Sequence, residues 1–432
     1  MRRSTTVLLL AATLPLLAPA AQAESWPHWR GPQYNGVSRE TGLPAQWSAE
    51  KNVRWRLPLP GKGAATPIVW GDRVFVTSTV EGAEDLVLLA VGRDGKVLWR
   101  KTVTQGAVRA PKWAEVETSS ASPSPVTDGK RLWTLFGTGT LAAFDLDGNE
   151  VWKSELMKRY GEFSTYFGLS SSPFVDAERV YVQALNTNSQ LVVALDKATG
   201  EEVWKLERPT DARDECLHSY TSPQVIRPDG QDVLLVHGAD YLTGHKASDG
   251  TELWRHGGLN PKDGYNPSLR LVATPVFADG LLVVPSAKRG PVYALDPTGA
   301  KGDITGAEKH RVWHLERGTP DVPSPLVHDG LVYLSDEDGK LSCVDAKTGE
   351  TLYAERVHAS THRGSPVYAD GKVFLMATDG TVSVVRAGRK YELLAANSVG
   401  ERIAASLAVS GGTIYLRTYE ALYAIGAPAA SE

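Results

Sequence analysis

Short apolar runs recur along the chain, each bounded by glycine with Asp, Asn or Thr, and residues 324–353, SPLVHDGLVYLSDEDGKLSCVDAKTGETLY, give the clearest instance. A Ser-Pro leads a short apolar run to Asp-Gly. LVYLS follows, then a second turn, then KLSCVD, then a Thr-Gly turn and ETLY. Runs of roughly four to six residues rich in Val, Leu and Tyr between such turns predict antiparallel strands joined by hairpins. The stretch therefore predicts one four-stranded sheet.

The same order of parts returns as SPVTDGKRLWTLFGTGTLAAFDLDGNEVWK from Ser124 and as SPFVDAERVYVQALNTNSQLVVALDKATGEEVWK from Ser172. A turn glycine is followed four residues on by an aromatic at Gly95 and Trp99, Gly148 and Trp152, Gly200 and Trp204, Gly250 and Trp254, and Gly349 and Tyr353. Trp313 marks a further unit that carries an insertion before it. Two more units, from Ser365 and from Ala405, lack this aromatic, and the last is one strand short. Residues 52–57, NVRWRL, supply the missing strand, with Trp55 in the place of the recurring aromatic. Repetition at this period marks a solenoid or propeller. Sheets packed radially about an axis cover one another's faces and leave only short edges. The prediction is an all-β, eight-bladed β-propeller of four-stranded antiparallel blades, closed by the N-terminal strand. Trp55, Trp99, Trp152, Trp204, Trp254, Trp313 and Tyr353 are expected to dock between neighbouring blades, each indole burying roughly 150–250 Å².

The ends of the chain read differently. Arg2 and Arg3, an apolar run over 7–18 and Ala21-Gln22-Ala23 have the three parts of a secretory signal peptide over 1–23. The paired arginines leave both Sec and twin-arginine export open, and no cysteine lies near the cleavage site to carry a lipid. Residues 24–51 have Trp, Pro and Gly but no strand periodicity. Trp26, Trp29 and Trp47 are expected to lie against the propeller, either plugging one end of its channel or simply packing on it. The propeller itself takes 52–426 and a tail 427–432.

Composition removes some functions. Forty-six basic and 50 acidic side chains give a net charge of −4, which disfavours nucleic acid, since that needs a basic face to displace counterions. No second apolar segment is long enough to span a bilayer, so the mature protein is expected to be a soluble monomer, periplasmic or secreted. Cys216 and Cys343 are a whole unit apart and are expected to be unpaired thiols; no CxxCH attaches haem.

Strand direction then sorts the loops. With the Ser-Pro strand innermost, the Asp-Gly and Thr-Gly turns share one face, and the long connections (101–121, 154–170, 206–220, 255–272, 315–322, 354–363 and 395–404) gather on the other. Long loops on a rigid scaffold are where function usually sits. The candidate ligand-binding set at the channel mouth is Arg213, His218, Tyr220, Asp240, Asn266, Arg270, Lys288, Arg289, His362 and Arg363. The other reading makes them solvated loop residues. His358 and His362 are four apart in a loop with no Cys or carboxylate at ligand spacing, so no metal site is assigned. No GxSxG, P-loop or HExxH motif occurs, and no catalytic residue is assigned.

Ala194, Asp196, Thr199, Gly200 and Trp204, and in part Asp345, Thr348, Gly349 and Tyr353, resemble the tryptophan-docking repeat of the quinoprotein-like propellers. WPHWRGP, HSYTSP and IYLRTYEALYAIG further resemble secreted PQQ-binding-like β-propeller repeat proteins. The resemblance implies the fold over nearly the whole mature chain. It spans pyrroloquinoline-quinone (PQQ) alcohol and glucose dehydrogenases as well as the cofactor-free outer-membrane-protein assembly factor BamB. The alcohol dehydrogenases carry adjacent cysteines and a calcium ligand set that this sequence does not match, so no cofactor is expected. The reading is a non-catalytic binding scaffold for an envelope or secreted protein or an exported polymer. A quinoprotein oxidoreductase and a polysaccharide hydrolase or lyase stand as alternatives.

Overall fold

The computed structural model describes residues 23–108, 112 and 119–427. The expected signal peptide up to residue 22, the tail beyond Ala427 and part of the 101–121 connection lie outside them. The chain forms eight antiparallel sheets, each built from an innermost to an outermost strand in sequence order. They are blade 1 (68–105), blade 2 (126–155), blade 3 (174–207), blade 4 (224–256), blade 5 (276–315), blade 6 (326–356), blade 7 (367–398) and blade 8 (408–425). Blade 8 is completed from the other end of the chain: Val53–Pro58 pairs antiparallel with Ala421–Ile425, with Trp55 opposite Ala424 and Leu57 opposite Leu422. The ring is closed by backbone hydrogen bonds between the two ends of the propeller.

Apolar runs become buried middle strands because both faces of a blade are covered. Arg179–Leu185 and Gln190–Asp196 are buried along almost their whole length, whereas the outermost Glu202–Glu207 alternates between covered and exposed positions. The recurring aromatic sits on that outermost strand and reaches the next blade. Indole Nε1 donates to a backbone carbonyl there in five cases: Trp55 to Arg93 at 2.7 Å, Trp99 to Leu146 at 3.0 Å, Trp152 to Lys197 at 3.1 Å, Trp204 to Ala247 at 3.0 Å and Trp313 to Ala346 at 2.8 Å. The Asp-x-x-Thr-Gly turn makes the seat. Asp196 Oδ1 accepts the amides of Ala198 and Thr199 at 2.9 and 2.8 Å, an Asx turn. It delivers Gly200 at φ +76°, where a Cβ would come within 2.7 Å of the Trp152 ring.

Two docking positions differ. Trp254 meets no such turn, because the insertion in blade 5 replaces it. Gly302–Asp303 adds a fifth, parallel strand to blade 4, opposite Trp254 itself. Tyr353 meets Tyr391 of blade 7 at 5.7 Å between centroids, where blade 7 has no glycine at the docking position.

Residues 24–51 cross the axis at the short-turn end. Trp26 pairs with Val69 of blade 1, the amide of Thr127 in blade 2 donates to Pro27 at 2.9 Å, Tyr34 lies 4.4 Å from the Phe174 ring of blade 3, and Val37 bridges to Tyr368 of blade 7. Arg30, 1% exposed, donates to the carbonyls of Pro325, Asn35 and Pro366 at 2.6, 3.0 and 2.9 Å. Trp47 fills the place of the aromatic missing from blade 7: its amide donates to Asn397 Oδ1 at 2.9 Å, and its ring is 6.3 Å from Phe374. The segment plugs one end of the channel.

Candidate functional site

With one end plugged, the channel becomes a cup of about 320 Å³ that opens on the long-loop face, with Trp29 at its floor. Its wall begins with the hydroxyl residue before each innermost-strand proline. The amide of each donates to the hydroxyl of the next blade: Thr66 to Ser124, Ser124 to Ser172, Ser172 to Ser222, Ser222 to Thr274, Thr274 to Ser324, Ser324 to Ser365 and Ser365 to Ser406, all at 2.9–3.1 Å. Ser406, the last, precedes Leu407 instead of proline. The Ser-Pro motif thus stitches the blades together around the axis. Side chains alternate along an extended chain, and the residue two positions earlier also lines the cup in every blade. These are the apolar Ala64, Val272, Val322 and Ala404, interrupted by Ser122, Ser170, Tyr220 and Arg363. Four positions before the hydroxyl stand Arg270, Thr361 and Arg402, at the mouth.

The mouth carries a network of alternating charges. Arg270 faces Glu215 at 3.3 Å and Asp321 at 3.6 Å; Arg363 faces Glu337 at 2.7 Å and Asp321 at 3.9 Å; Lys288 faces Asp321 at 3.4 Å and also pairs with Glu337. Burial opposes ionisation of Glu337, but Lys288 and Arg363 hold its carboxyl below the usual carboxylate range. Burial pushes Glu215 up despite Arg270. Among the described residues no carboxylate lines the cup. Arg402 lies 5.4 Å from the Tyr419 ring, with Lys62 5.1 Å from the same ring, and forms no ion pair among the described residues.

Of the sequence-predicted set, Tyr220, Arg270 and Arg363 line the cup. Lys288 and Arg289 line an adjoining cleft with Asp321 and Glu337. His218 is buried behind Tyr220, its Nε2 2.8 Å from Thr187 Oγ1, and burial with Arg270 nearby lowers its pKa to about 4. Arg213, Asp240 and Asn266 gather elsewhere, around the Tyr265 loop: Arg213 lies 4.7 Å from the Tyr265 ring, Asp240 accepts from the Tyr265 hydroxyl at 2.7 Å, and the Asn266 carbonyl accepts from Asn260 at 3.1 Å. His362 is an odd number of residues from Ser365, so its ring turns away from the axis and is fully buried. The set omitted Trp29, Phe167, Arg402, Tyr419 and the hydroxyl ring. Aligning the units on Ser-Pro and reading back every second residue identifies Arg402.

The profile of the family described as outer membrane protein assembly factor BamB matches residues 83–301, 137–387 and 288–430. The chain belongs to this family. BamB of Alkalilimnicola ehrlichii is 25% identical over 233 residues, 53% of this chain and 52% of that protein. A polyvinylalcohol dehydrogenase of Sphingopyxis sp. is 26% identical over 231 residues, 50% of this chain and 31% of that protein. The chain thus spans about half or less of these relatives. In structure it superposes on BamB of Moraxella catarrhalis with a TM-score of 0.62, at 16% identity over 86% of this chain and 98% of that one. A europium-containing methanol dehydrogenase gives 0.70, at 12% identity over 92% and 90%. At these identities the structural likenesses establish the propeller alone.

The described residues do not assemble the calcium and quinone site of the alcohol dehydrogenases. Among the described residues the wall of the cup has no carboxylate to ligate a divalent cation, and the neighbouring acids Glu215, Asp321 and Glu337 are paired with Arg and Lys. Cys216 and Cys343 are buried in different blade interfaces. Among the described residues no group of three His, Cys, Asp or Glu is placed to hold a metal.

Proposed function

We propose that this BamB-family propeller is an exported, non-catalytic binding scaffold of the cell envelope that takes a protein or polymer partner on its long-loop face. One observation carries the reading: the reactive side chains gathered on that face are already committed to one another. Arg270, Lys288 and Arg363 are matched by Glu215, Asp321 and Glu337. His218 meets Thr187, but its other nitrogen meets no carboxylate; His358 meets Asp379 at 2.6 Å, but no nucleophile. A nucleophile, base and orienting group in series, which acyl-transfer chemistry requires, is missing among the described residues. Such a rim suits recognition, because paired charges on a rigid scaffold set register and orientation for a partner.

The test places a photo-crosslinking residue at Arg289, on the long-loop face, or at Lys347, in the opposite Thr-Gly turn, and captures partners from the native envelope. Capture from position 289 and not from 347 is the expected result; equal capture from both faces contradicts the reading. The likeness to a polyvinylalcohol dehydrogenase favours a second reading as a quinone-dependent oxidoreductase. Dye reduction after addition of quinone and calcium would establish that alternative.

A further inference from the structure

The first residues of the plug are fixed to blade 8 through a carboxylate that has no basic partner. Glu40 Oε1 accepts the Glu24 backbone N–H at 2.7 Å, and its Oε2 accepts the amide of Gly412 at 2.9 Å, in the turn between Ala408–Ser410 and Thr413–Arg417. The Ser410 hydroxyl donates to the Glu24 carbonyl. The Glu24 side chain accepts the Ser38 hydroxyl at 2.7 Å and the Arg39 amide at 2.9 Å. Nitrogen, carbonyl and carboxylate of Glu24 are thus all engaged, whereas Ala23 just before it is exposed. Among the described residues the partners of both carboxylates are amides and a hydroxyl, and no Lys, Arg or His side chain pairs with either. The neighbouring guanidinium of Arg93 is committed to Ser410, whose hydroxyl and carbonyl it meets at 2.7 and 3.2 Å.

An unmatched carboxylate bonded to a backbone nitrogen is a place for a cation, and one chemical event puts a cation on that atom. Ala21-Gln22-Ala23 is the small-residue signature that precedes a leader cleavage site. Hydrolysis of the Ala23–Glu24 bond by an export signal peptidase takes up one water, leaves a carboxylate on Ala23 and leaves the nitrogen of Glu24 as an α-ammonium. We propose that Glu40 is the seat of this new N-terminus, so that cleavage between Ala23 and Glu24 turns a neutral hydrogen bond into an ion pair and clamps the plug onto blade 8. Charge-assisted hydrogen bonds are about twice as strong as neutral ones, so maturation itself fastens the closed end of the propeller. A cut after Ala18-Pro19-Ala20, three residues earlier, would leave only a neutral N–H at Glu24 and Glu40 unmatched. The inference rests on the export part of the proposed function and is independent of the partner face.

Intact-mass measurement of the chain recovered from its native cells should give a protein that begins at Glu24. Two purified chains, one beginning at Glu24 and one retaining Ala21-Gln22-Ala23, are then unfolded in guanidinium with and without Glu40→Gln. Glutamine keeps an acceptor oxygen and removes the charge. The substitution should therefore cost the chain that begins at Glu24 about threefold more in its folding equilibrium than the longer chain, the size of a partly exposed ion pair. A native chain that begins at another residue overturns the cut, and one that keeps its leader overturns export as well. An equal Glu40→Gln loss in both purified chains overturns the seat. Failure to capture a partner from position 289 would touch the scaffold reading alone.

Discussion

The indole of Trp55 donates to the carbonyl of Arg93 at 2.7 Å, which joins a strand lent to blade 8 by the N-terminal side of the chain to the docking turn of blade 1. The ring of Trp55 also lies 6.1 Å from Tyr415 of blade 8 and against Gly95 of blade 1. Both sides of the closing seam therefore depend on one side chain. Removing a fully buried aromatic costs about 3–5 kcal/mol, Trp55 is half-buried and so stands at the low end, and a lost hydrogen bond costs about 1 kcal/mol. Trp55→Ala should lower the unfolding free energy by about 3 kcal/mol and Trp55→Phe by about 1 kcal/mol, read from guanidinium midpoints. An alanine variant as stable as the wild type would show that the seam is held elsewhere.

The turn glycines separate backbone strain from contact. Gly200 and Gly71 both have positive φ, +76° and +59°, but an added Cβ meets the Trp152 ring at 2.7 Å in the first and open space in the second. Alanine at Gly71 suffers the backbone penalty alone, about 1 kcal/mol. At Gly200 the ring must also shift, which adds about 1–3 kcal/mol for overpacking. Thermal unfolding of the two variants should show Gly200→Ala as clearly the less stable; equal losses would mean that the indole seat is loose.

Ser324 holds two blades at once. Its hydroxyl accepts the amide of Thr274, and its own amide donates to Ser365, both at 2.9 Å. Ser324→Ala leaves the Thr274 amide buried without a partner, a loss of about 1–3 kcal/mol. Ser324→Thr keeps the oxygen, as Thr274 does where its Oγ1 accepts the Ser222 amide, and should unfold within about 0.5 kcal/mol of the wild type. A threonine variant as unstable as the alanine one would refute the role given to the ring.

The repeat carried most of the fold in the sequence, because turn glycines and docking aromatics recur at fixed offsets even where little else does. The closing strand was legible for the same reason: NVRWRL has the aromatic where the last unit needs one. The plug was only one of two open readings, since residues 24–51 are held by isolated bridges and by Arg30 on backbone carbonyls, contacts that leave no periodicity. Gly302–Asp303 has the composition of a turn and is a strand only because blade 4 offers an open edge. At the mouth of the cup, neighbours in sequence part company. Arg363 lines the space, while His362 faces the blade interface, a consequence of period-2 alternation that loop composition does not reveal. Arg402 stands in an ordinary stretch, ERIAAS, and becomes visible only when the units are aligned on their hydroxyls.

Buried histidines set the response to acid. Burial, with Arg208 nearby, lowers His237 to about 3; burial likewise lowers His245 and His256 to about 4, and burial with Arg270 lowers His218 to about 4. In the unfolded chain each titrates near the ordinary 6.5. Between about pH 6.5 and pH 4 the unfolded state therefore binds protons that the folded state refuses, and stability falls as pH falls. Glu215 and Asp240, both raised by burial, act in the opposite sense and reduce the slope without reversing it, since burial also lowers His28, His328 and His362, so that seven histidines stand against these two carboxyls. His237→Gln removes one of these protons and should flatten the decline by up to tenfold in the folding equilibrium per pH unit. Urea unfolding at intervals from pH 7 to pH 4.5, wild type against variant, reads both slopes. A wild-type stability that stays level to pH 4.5 would mean that these imidazoles take up protons without unfolding the propeller.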